Sequence, residues 1–551
     1  MLPLGRFLYA PDSRRVWAWL AVFVASTFLL SPLLLHAWRN VGVRGFDLLF
    51  AFNLVTSLLW IVLVHALARR MLWLHLLLFP LYVTVTIDLF LVGTFGARLS
   101  AGYVTIALTD YGDTGELFHA YTTPLMVASA VLLSVYTICL FFMRNLRKRR
   151  SIRWAALVAV ILVGVYALAL GRNLKEGQQP DKALLDVVGK ELSSPAGALF
   201  QAALALHIHA SSREFRSQRK THSFAATKAA SPEGEVYVWV VGESARPQNW
   251  SLFGYSRDTT PRLRTTPGIV SLSDLLTTAP HTAVAVPSML SLRPITDWPS
   301  IQAEKSIVEA FNEVGFKTYW LSAQAADSWA GLIPELAMEA KRRRYFDSGY
   351  DGTLLEELRR ILSATRIDEK LFIVLHTKGS HFEYSRRYPP DFKLFLGGKT
   401  RRERLMDEYD NSVLYTDWFL SEVIATVERR KGRAAVIYAS DHGENLLDDD
   451  RQLLGHALGT RYDLATAAIV WVSKELGQSR PQQIKALQDH ASAKLSLSNL
   501  SHSMLDLAGV QSRELDPRKS IFSDRFLASP RSFVVRGELR SETGTPIAKA
   551  P

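Results

Sequence analysis

The stretch RAAVIYASDHGENLLDDDRQLLGH, Arg433 to His456, decides the fold. An apolar run from Ala434 to Ala439 stops at Ser440 and is followed at once by Asp441 and His442. A short apolar run closed by a sharp polar turn predicts a strand buried on both faces, as in a parallel sheet. Parallel α/β sheets keep their chemistry in the loops past the carboxyl ends of the strands. Asp and His together offer oxygen and nitrogen ligands to a divalent ion. The run Asp448 to Asp450 reads differently, as a solvated acidic loop, because blocks of like charge usually face water.

The same pattern extends outward. Apolar runs at Val236–Val241, Lys317–Leu321, Leu371–His376 and Ala467–Val472 alternate with helical periodicity at Ser306–Val314, Gly352–Thr365, Glu403–Arg429 and Asn499–Ala508. This alternation predicts a soluble α/β domain with a largely parallel central sheet over residues 235–526, followed by a C-terminal tail at 527–551. Polar residues recur at the strand ends. Glu243 lies just past one run, and His376 ends another with His381 in its loop. Carboxyl ends share one edge of a parallel sheet, so Glu243, His381, Asp441 and His442 are expected to converge. His456, fourteen residues past His442, is near enough to return to the same place. Such a set suits zinc, with manganese less favoured. Thr282 opens a short apolar helical segment, TAVAVPSM. It is either an N-cap or a hydroxyl held at a helix N-terminus, where anions bind and a metal can activate it as a nucleophile.

The first third of the 551-residue chain has another character. Five segments, Val16–Trp38, Phe46–Ala68, Leu72–Val92, Pro124–Met143 and Trp154–Leu170, are apolar over about the length a helix needs to cross a bilayer. The first is too long for a signal-peptide core and is expected to be retained. Arg14, Arg15, Arg69, Arg70 and the loop RNLRKRRSIR (Arg144–Arg153) fall on one side of a five-span bundle. The positive-inside rule makes that side cytoplasmic. A multi-pass domain at 1–172 then has its N-terminus in the cytoplasm and everything after Arg172 outside, which for the inner membrane of a Gram-negative bacterium means the periplasm. Arg39 and Arg44 fall on the outer side. His65, His75 and Asp88 lie within the spans, inside the bundle or near its edges. Tyr103, Tyr111 and Tyr121 belong to an outer loop at the lipid surface. Residues 173–234 read as a connector, with amphipathic helical pieces at Ala183–Leu192 and Pro195–Ile208 and then a basic linker. Much of the net charge of +12 lies in these membrane-flanking loops, and no nucleic-acid-binding motif accompanies it. The single cysteine, Cys139, excludes an intramolecular disulfide.

Six segments occur together and in order: GES (Gly242–Ser244), GYSRDTTP (Gly254–Pro261), HTAVAVPSML (His281–Leu290), HTKGSH (His376–His381), SDHGE (Ser440–Glu444) and GHALGT (Gly455–Thr460). With five spans before them, they resemble the membrane-bound phosphoethanolamine transferases of the sulfatase and alkaline-phosphatase superfamily. The resemblance implies a zinc site at Glu243, Thr282, Asp441 and His442, with Thr282 the nucleophile. It implies that His381 and His456 contact the phosphate or a second zinc, and it draws His376, Gln324 and Glu444 into the same region. The implied reaction takes phosphoethanolamine from phosphatidylethanolamine onto a threonine, then passes it to a lipopolysaccharide acceptor (lipid A or core sugar) or a periplasmic glucan. Two departures stand out. Members acting on lipid A often carry disulfides here, and Ser288 occupies a position where a cysteine is expected. The segment YWLSAQAADSW (Tyr319–Trp329) lacks the asparagine and lysine some members use near the ethanolamine, leaving Gln324 in that role. Alternatives are a phosphoglycerol transferase or metal-dependent phosphodiesterase of the same superfamily, or an inactive membrane-anchored sensor or scaffold. The absence of a C-x-P-x-R segment excludes a formylglycine sulfatase.

Overall fold

The computed structural model describes residues 11–44, 48–95, 99, 122–148, 151–175, 187, 197, 200 and 218–542, except 231–232, 325–331 and 347–348. The chain forms two compact units, residues 1–104 with 118–208, and 105–117 with 209–551.

The first unit is helical. Its elements are α1 (Pro11–Arg44), α2 (Leu48–Leu67), α3 (Met71–Leu77), α4 (Phe79–Phe95), α5 (Thr122–Met143) and α6 (Ile152–Lys175). Helices therefore cover the five apolar segments, the third with two of them, but the expectation of five spans is not met by length and apolarity alone. Among the described residues, 13–35 and 152–172 are long and apolar enough to cross a bilayer, and a third span exists if the pair α3–α4 counts as one. That pair bends by 55° at Leu78. Pro80 has no N–H to continue a helix, so a new one starts around it. The apolar stretches at 52–67 and 129–143 are shorter.

Several polar groups of this unit are paired within the bundle. His75 Nδ1 lies 2.7 Å from the Tyr82 hydroxyl, and Tyr136 donates to the His75 carbonyl at 2.7 Å. Asp88 accepts the Leu99 N–H at 2.6 Å. His65 Nε2 sits 3.5 Å from Ser26 Oγ. Tyr103, Tyr111 and Tyr121 lie outside the described residues, as does about two thirds of the connector.

The second unit is built on a seven-stranded sheet: β1 (Glu235–Gly242), β2 (Ile269–Ser271), β3 (Lys317–Ser322), β4 (Arg342–Tyr345), β5 (Lys370–His376), β6 (Arg433–Ser440) and β7 (Ala468–Val472). The spatial order is β2-β7-β6-β1-β5-β3-β4. From β6 through β4 all pairs are parallel, whereas β7 runs against both of its neighbours. The sheet is thus mixed, with one reversed strand near an edge rather than wholly parallel.

Alternation along β1 explains the two cores. Tyr237, Trp239 and Val241 enter one apolar cluster, and Val236, Val238 and Val240 enter the other. Successive strand residues point to opposite faces, so a central strand covered on both sides must be apolar throughout. Among the covering helices are α7 (Thr282–Met289), α8 (Ile307–Glu313), α9 (Gly352–Ala364), α10 (Arg401–Arg429) and α11 (Ser498–Ala508). In α9, Leu354, Leu355, Leu358, Ile361 and Leu362 form the buried stripe. α10 opens with a capping box between Thr400 and Glu403, which satisfies N–H groups that its first turn cannot pair internally. The region read as a tail contains a hairpin, β8 (Ser532–Val535) and β9 (Glu538–Ser541), whose Phe533 and Val535 pack on Leu464.

Candidate active site

Strand register brings the site together. Gly242 is opposite Ser440 across β1 and β6, so the next residues, Glu243 and Asp441, leave the sheet side by side. His376 pairs with Val241, which starts the HTKGSH loop at the same edge. Gly379 in that loop has φ +48°, and a Cβ there would come within 2.6 Å of the Glu243 carbonyl oxygen. Only glycine allows the close approach. Its neighbour Ser380 donates its N–H to that carbonyl at 2.9 Å. Ser244 is held at φ +54°, a left-handed conformation costly for a residue with a side chain. The surroundings fix it there: its carbonyl accepts from Tyr409 Oη at 2.6 Å, and its own hydroxyl donates to Glu243 Oε1 at 2.7 Å.

Thr282 is the first residue of α7 and is nearly buried. Its hydroxyl does not cap the helix; His281 is the N-cap residue. Instead Thr282 Oγ1 lies 3.1 Å from Glu243 Oε2 and 3.3 Å from His442 Nε2. His442 Nε2 is also 3.3 Å from Glu243 Oε1 and 3.5 Å from Asp441 Oδ2. Glu243, Asp441 and His442 each offer a ligand atom, all within 4.8 Å of one another.

The donor set fits a divalent cation. His442 Nδ1 is 2.8 Å from the Gly443 carbonyl, which can only accept, so Nδ1 carries a proton and Nε2 is the atom turned toward the carboxylates. Asp441 Oδ2 is buried and takes no hydrogen bond of normal geometry. A buried carboxylate oxygen without a partner requires a positive charge nearby. Titration points the same way. Burial, then the Glu243 charge, pushes the Asp441 carboxyl up to about 7. Burial opposes ionisation of Glu243, yet the neighbouring His442, His381 and His456 hold its carboxyl below the usual range. Burial also opposes charging of His442, but Asp441 and Glu243 outweigh it and raise the imidazole to about 10. The pocket is short of positive charge, and zinc or a similar ion at Glu243, Asp441, His442 and Thr282 would supply it.

Around this centre, His456 stacks toward His442 with ring centroids 4.2 Å apart, and His381 lies 5.8 Å from His456. Arg387, which can only donate, reaches His381 Nδ1 at 3.5 Å and so leaves the ring proton on Nε2. Glu444 is fully buried and joins two partners: Tyr384 Oη donates to it at 2.8 Å, and His456 Nδ1 lies 3.0 Å away. His376 and Gln324 are placed otherwise. His376 packs edge-on against Trp320 and sits 3.4 Å from Ser322 Oγ, while Gln324 Nε2 donates to the Thr377 carbonyl at 3.0 Å. Ser288 is buried and hydrogen-bonds Thr278 and the Ala285 carbonyl, tying α7 to the loop before it.

Sequence reasoning missed the support beneath the SDHGE loop. Asp448 is not solvated. It receives two hydrogen bonds from the buried Arg246, at 2.7 and 3.0 Å, and accepts the Leu446 N–H at 2.8 Å. Arg246 also donates to the Glu444 carbonyl at 3.0 Å and to Asn249 Oδ1 at 2.6 Å. The one available signal was that Arg246 directly follows GESA in the first motif. Arg246→Met should destabilise the domain by about 3 kcal/mol, because it strands the buried Asp448 charge. Chemical denaturation reads this directly, and a loss near zero would mean the pair is dispensable.

A second His-Glu-Glu group, His222, Glu304 and Glu514, has a different chemistry. The Lys305 N–H donates to His222 Nδ1 at 3.3 Å, so Nε2 holds the proton and gives it to Glu514 at 3.2 Å. Arg293 pairs with Glu304 at 2.7 Å. This is an ion-pair cluster.

Comparison with known proteins places this geometry. The Sulfatase family model matches residues 235–510, the stretch that contains the sheet and every ligand named above. Among curated proteins, YhbX of Escherichia coli (strain K12) is 35% identical over 211 residues, 38% of this chain and 38% of YhbX. Phosphoethanolamine transferase EptC of the same strain is 25% identical over 322 residues, 54% of this chain and 55% of EptC. The chain thus matches about two fifths to half the length of these relatives. The crystal structure of the EptC C-terminal periplasmic domain in complex with zinc matches at a TM-score of 0.53 and 22% identity, covering 59% of this chain and 98% of that one. The integral membrane lipooligosaccharide phosphoethanolamine transferase A (EptA) from Neisseria meningitidis matches at 0.72 and 21%, over 91% of this chain and 97% of EptA, so the shared fold includes the helical unit. With half its length inside the family model, and with the fold and motifs of the membrane phosphoethanolamine transferases, the chain belongs to the sulfatase family.

Proposed function

We propose that this chain is a membrane-anchored, zinc-dependent phosphoethanolamine transferase. Its donor is phosphatidylethanolamine, and its acceptor is a lipopolysaccharide group (lipid A or a core sugar) or a periplasmic glucan. The observation that carries this is the position of Thr282 Oγ1, at a helix N-terminus and within 3.3 Å of both Glu243 and His442. The relatives named phosphoethanolamine transferases support the reaction type, and the EptC–zinc complex supports the metal. A zinc ion held by Glu243, Asp441, His442 and the Thr282 hydroxyl would act as a Lewis acid and lower the pKa of that hydroxyl.

In the first step the Thr282 oxygen bonds to phosphorus and the bond from phosphorus to the diacylglycerol oxygen breaks. The threonine proton goes to the departing alkoxide, and diacylglycerol leaves. In the second step the acceptor hydroxyl or phosphate oxygen bonds to phosphorus, the Thr282–phosphorus bond breaks, and the acceptor's proton returns to Thr282. A covalent intermediate lets the donor depart before the acceptor arrives. The His381 Nε2–H is a donor suited to the charge that builds on the phosphoryl oxygens, and Glu444 orients His456 beside it. The helical unit is embedded in the inner membrane with its N-terminus in the cytoplasm, which keeps the chain at the bilayer that holds its donor. Gln324 and His376 lie in the strand-end region without a catalytic step assigned to them.

The test compares lipid A, core oligosaccharide and periplasmic glucan by mass spectrometry from cells with and without the chain. One fraction should gain the mass of a phosphoethanolamine group. No gain in any fraction, with the purified chain also unable to release diacylglycerol from phosphatidylethanolamine, would sink the proposal.

A further inference from the structure

Two stretches of the helical unit are tied together by backbone hydrogen bonds: Ala66 to Met71 on one side, and Leu146 to Lys148 with Ser151 on the other. The Lys148 N–H donates to the Arg69 carbonyl at 3.0 Å, Met71 N–H to Leu146 at 3.3 Å, and Ser151 N–H to Ala66 at 3.1 Å. Arg70 and Arg147 pair as an antiparallel bridge. These backbone bonds hold four cations, Arg69, Arg70, Arg147 and Lys148, around one cavity of about 710 Å³. Among the described residues no carboxylate lines the cavity. Among the described residues none of the four forms an ion pair. Like charges gathered this closely repel unless an anion sits among them.

The rest of the lining is apolar and open. Trp73 is 61% exposed and Leu77 79% exposed. A small soluble anion would gain nothing from such a wall, whereas acyl chains would. A zwitterionic headgroup brings its own ammonium, which cancels the attraction of the cations. The matching ligand has a net negative head and an apolar tail. Both stretches lie on the side that the positive-inside rule makes cytoplasmic, and basic sites between helices on that face bind anionic headgroups.

We infer that this cavity binds an anionic phospholipid of the cytoplasmic leaflet, its phosphate held among Arg69, Arg70, Arg147 and Lys148 and its chains against Trp73 and Leu77. The inference rests on the membrane orientation proposed above and is independent of the transfer reaction. It gives the helical unit a lipid partner on its cytoplasmic side.

The experiment is native mass spectrometry of the full-length chain in detergent. Phosphatidylglycerol, phosphatidylethanolamine and soluble glycerol phosphate serve as probes. Phosphatidylglycerol should bind in preference to phosphatidylethanolamine, and glycerol phosphate should not displace it. Each cation near an anionic lipid contributes about a fivefold gain in affinity, so Arg70→Gln with Arg147→Gln should weaken binding by about thirtyfold. Ala68→Trp fills the cavity and leaves every charge in place, so it should also remove the adduct without disturbing topology. Equal binding of the two lipids, or adducts unchanged in both variants, would overturn the inference. Displacement by glycerol phosphate would replace the lipid with a free anion and also overturn it. Arg147→Cys should be labelled by a membrane-impermeant maleimide only from the cytoplasmic side, and labelling from outside would refute the leaflet assignment. Binding is read without turnover. A chain that binds as stated but transfers no phosphoethanolamine would therefore defeat the proposed function and leave this site standing.

Discussion

Thr282→Ala loses transfer by at least about 10⁴-fold while keeping its metal, since removing a nucleophile leaves only the residual effect of binding and electrostatics. The geometry explains why the two properties separate. The Glu243, Asp441 and His442 ligand atoms are positioned by strand ends and by bonds to Ser244, Gly443 and the backbone, none of which involves Thr282. The Thr282 hydroxyl approaches that set from a different element, α7. Elemental analysis should therefore find zinc in Thr282→Ala at close to the wild-type amount. Thr282→Ser keeps the hydroxyl and loses one methyl, and should retain measurable transfer. Incubation of the wild type with phosphatidylethanolamine and no acceptor, followed by peptide mass spectrometry, should place phosphoethanolamine on the peptide containing Thr282. Transfer by Thr282→Ala at the wild-type rate would exclude the covalent route.

Asp441→Asn is expected to abolish both metal binding and activity, and its stability should change in an unusual direction. In metal-free protein the Asp441 carboxyl is fully buried beside Glu243, and both factors oppose its ionisation. A group whose pKa is raised on folding destabilises the fold as pH rises from its unfolded value toward its folded one. Near neutral pH the neutral Asn removes that penalty. Metal-free Asp441→Asn should therefore melt at or above the metal-free wild type. Zinc reverses the order. A ligand at a hundred times its dissociation constant stabilises by about 2.7 kcal/mol, and only the wild type can collect this. Thermal melts with chelator and with zinc read both halves. A wild type whose melting point ignores zinc would remove the metal from the site.

Much of this site was legible because its chemistry sits one residue past apolar runs. Glu243 and Asp441 follow β1 and β6 directly, and the run lengths alone placed both strands within a residue or two. The pairing of Gly242 with Ser440, which makes the two carboxylates neighbours, is a long-range fact that no local pattern encodes. Two strands of the seven-stranded sheet escaped notice for a physical reason. β4 reads RRRY and lies exposed at the sheet edge, so it shows no apolar run. β2 is three residues long and only half buried. The reversed strand β7 looks like its parallel neighbours in composition because it is equally buried. Asp448 was misread because its charge is neutralised by Arg246, about two hundred residues earlier. The break at Leu78 was hidden by unbroken hydropathy, since Pro80 is as apolar as its surroundings but cannot continue a hydrogen-bonded helix.

The tie between Ser288 and Thr278 has a consequence for how the protein matures. The chain's one cysteine lies in the helical unit, and α7 is secured by hydroxyls and packing. Nothing in the second unit waits for a thiol to be oxidised, or for a wrongly paired bridge to be reshuffled over minutes to hours. Thr282 reaches its place as fast as the chain folds, and surroundings rich in reductant have no bond there to cut.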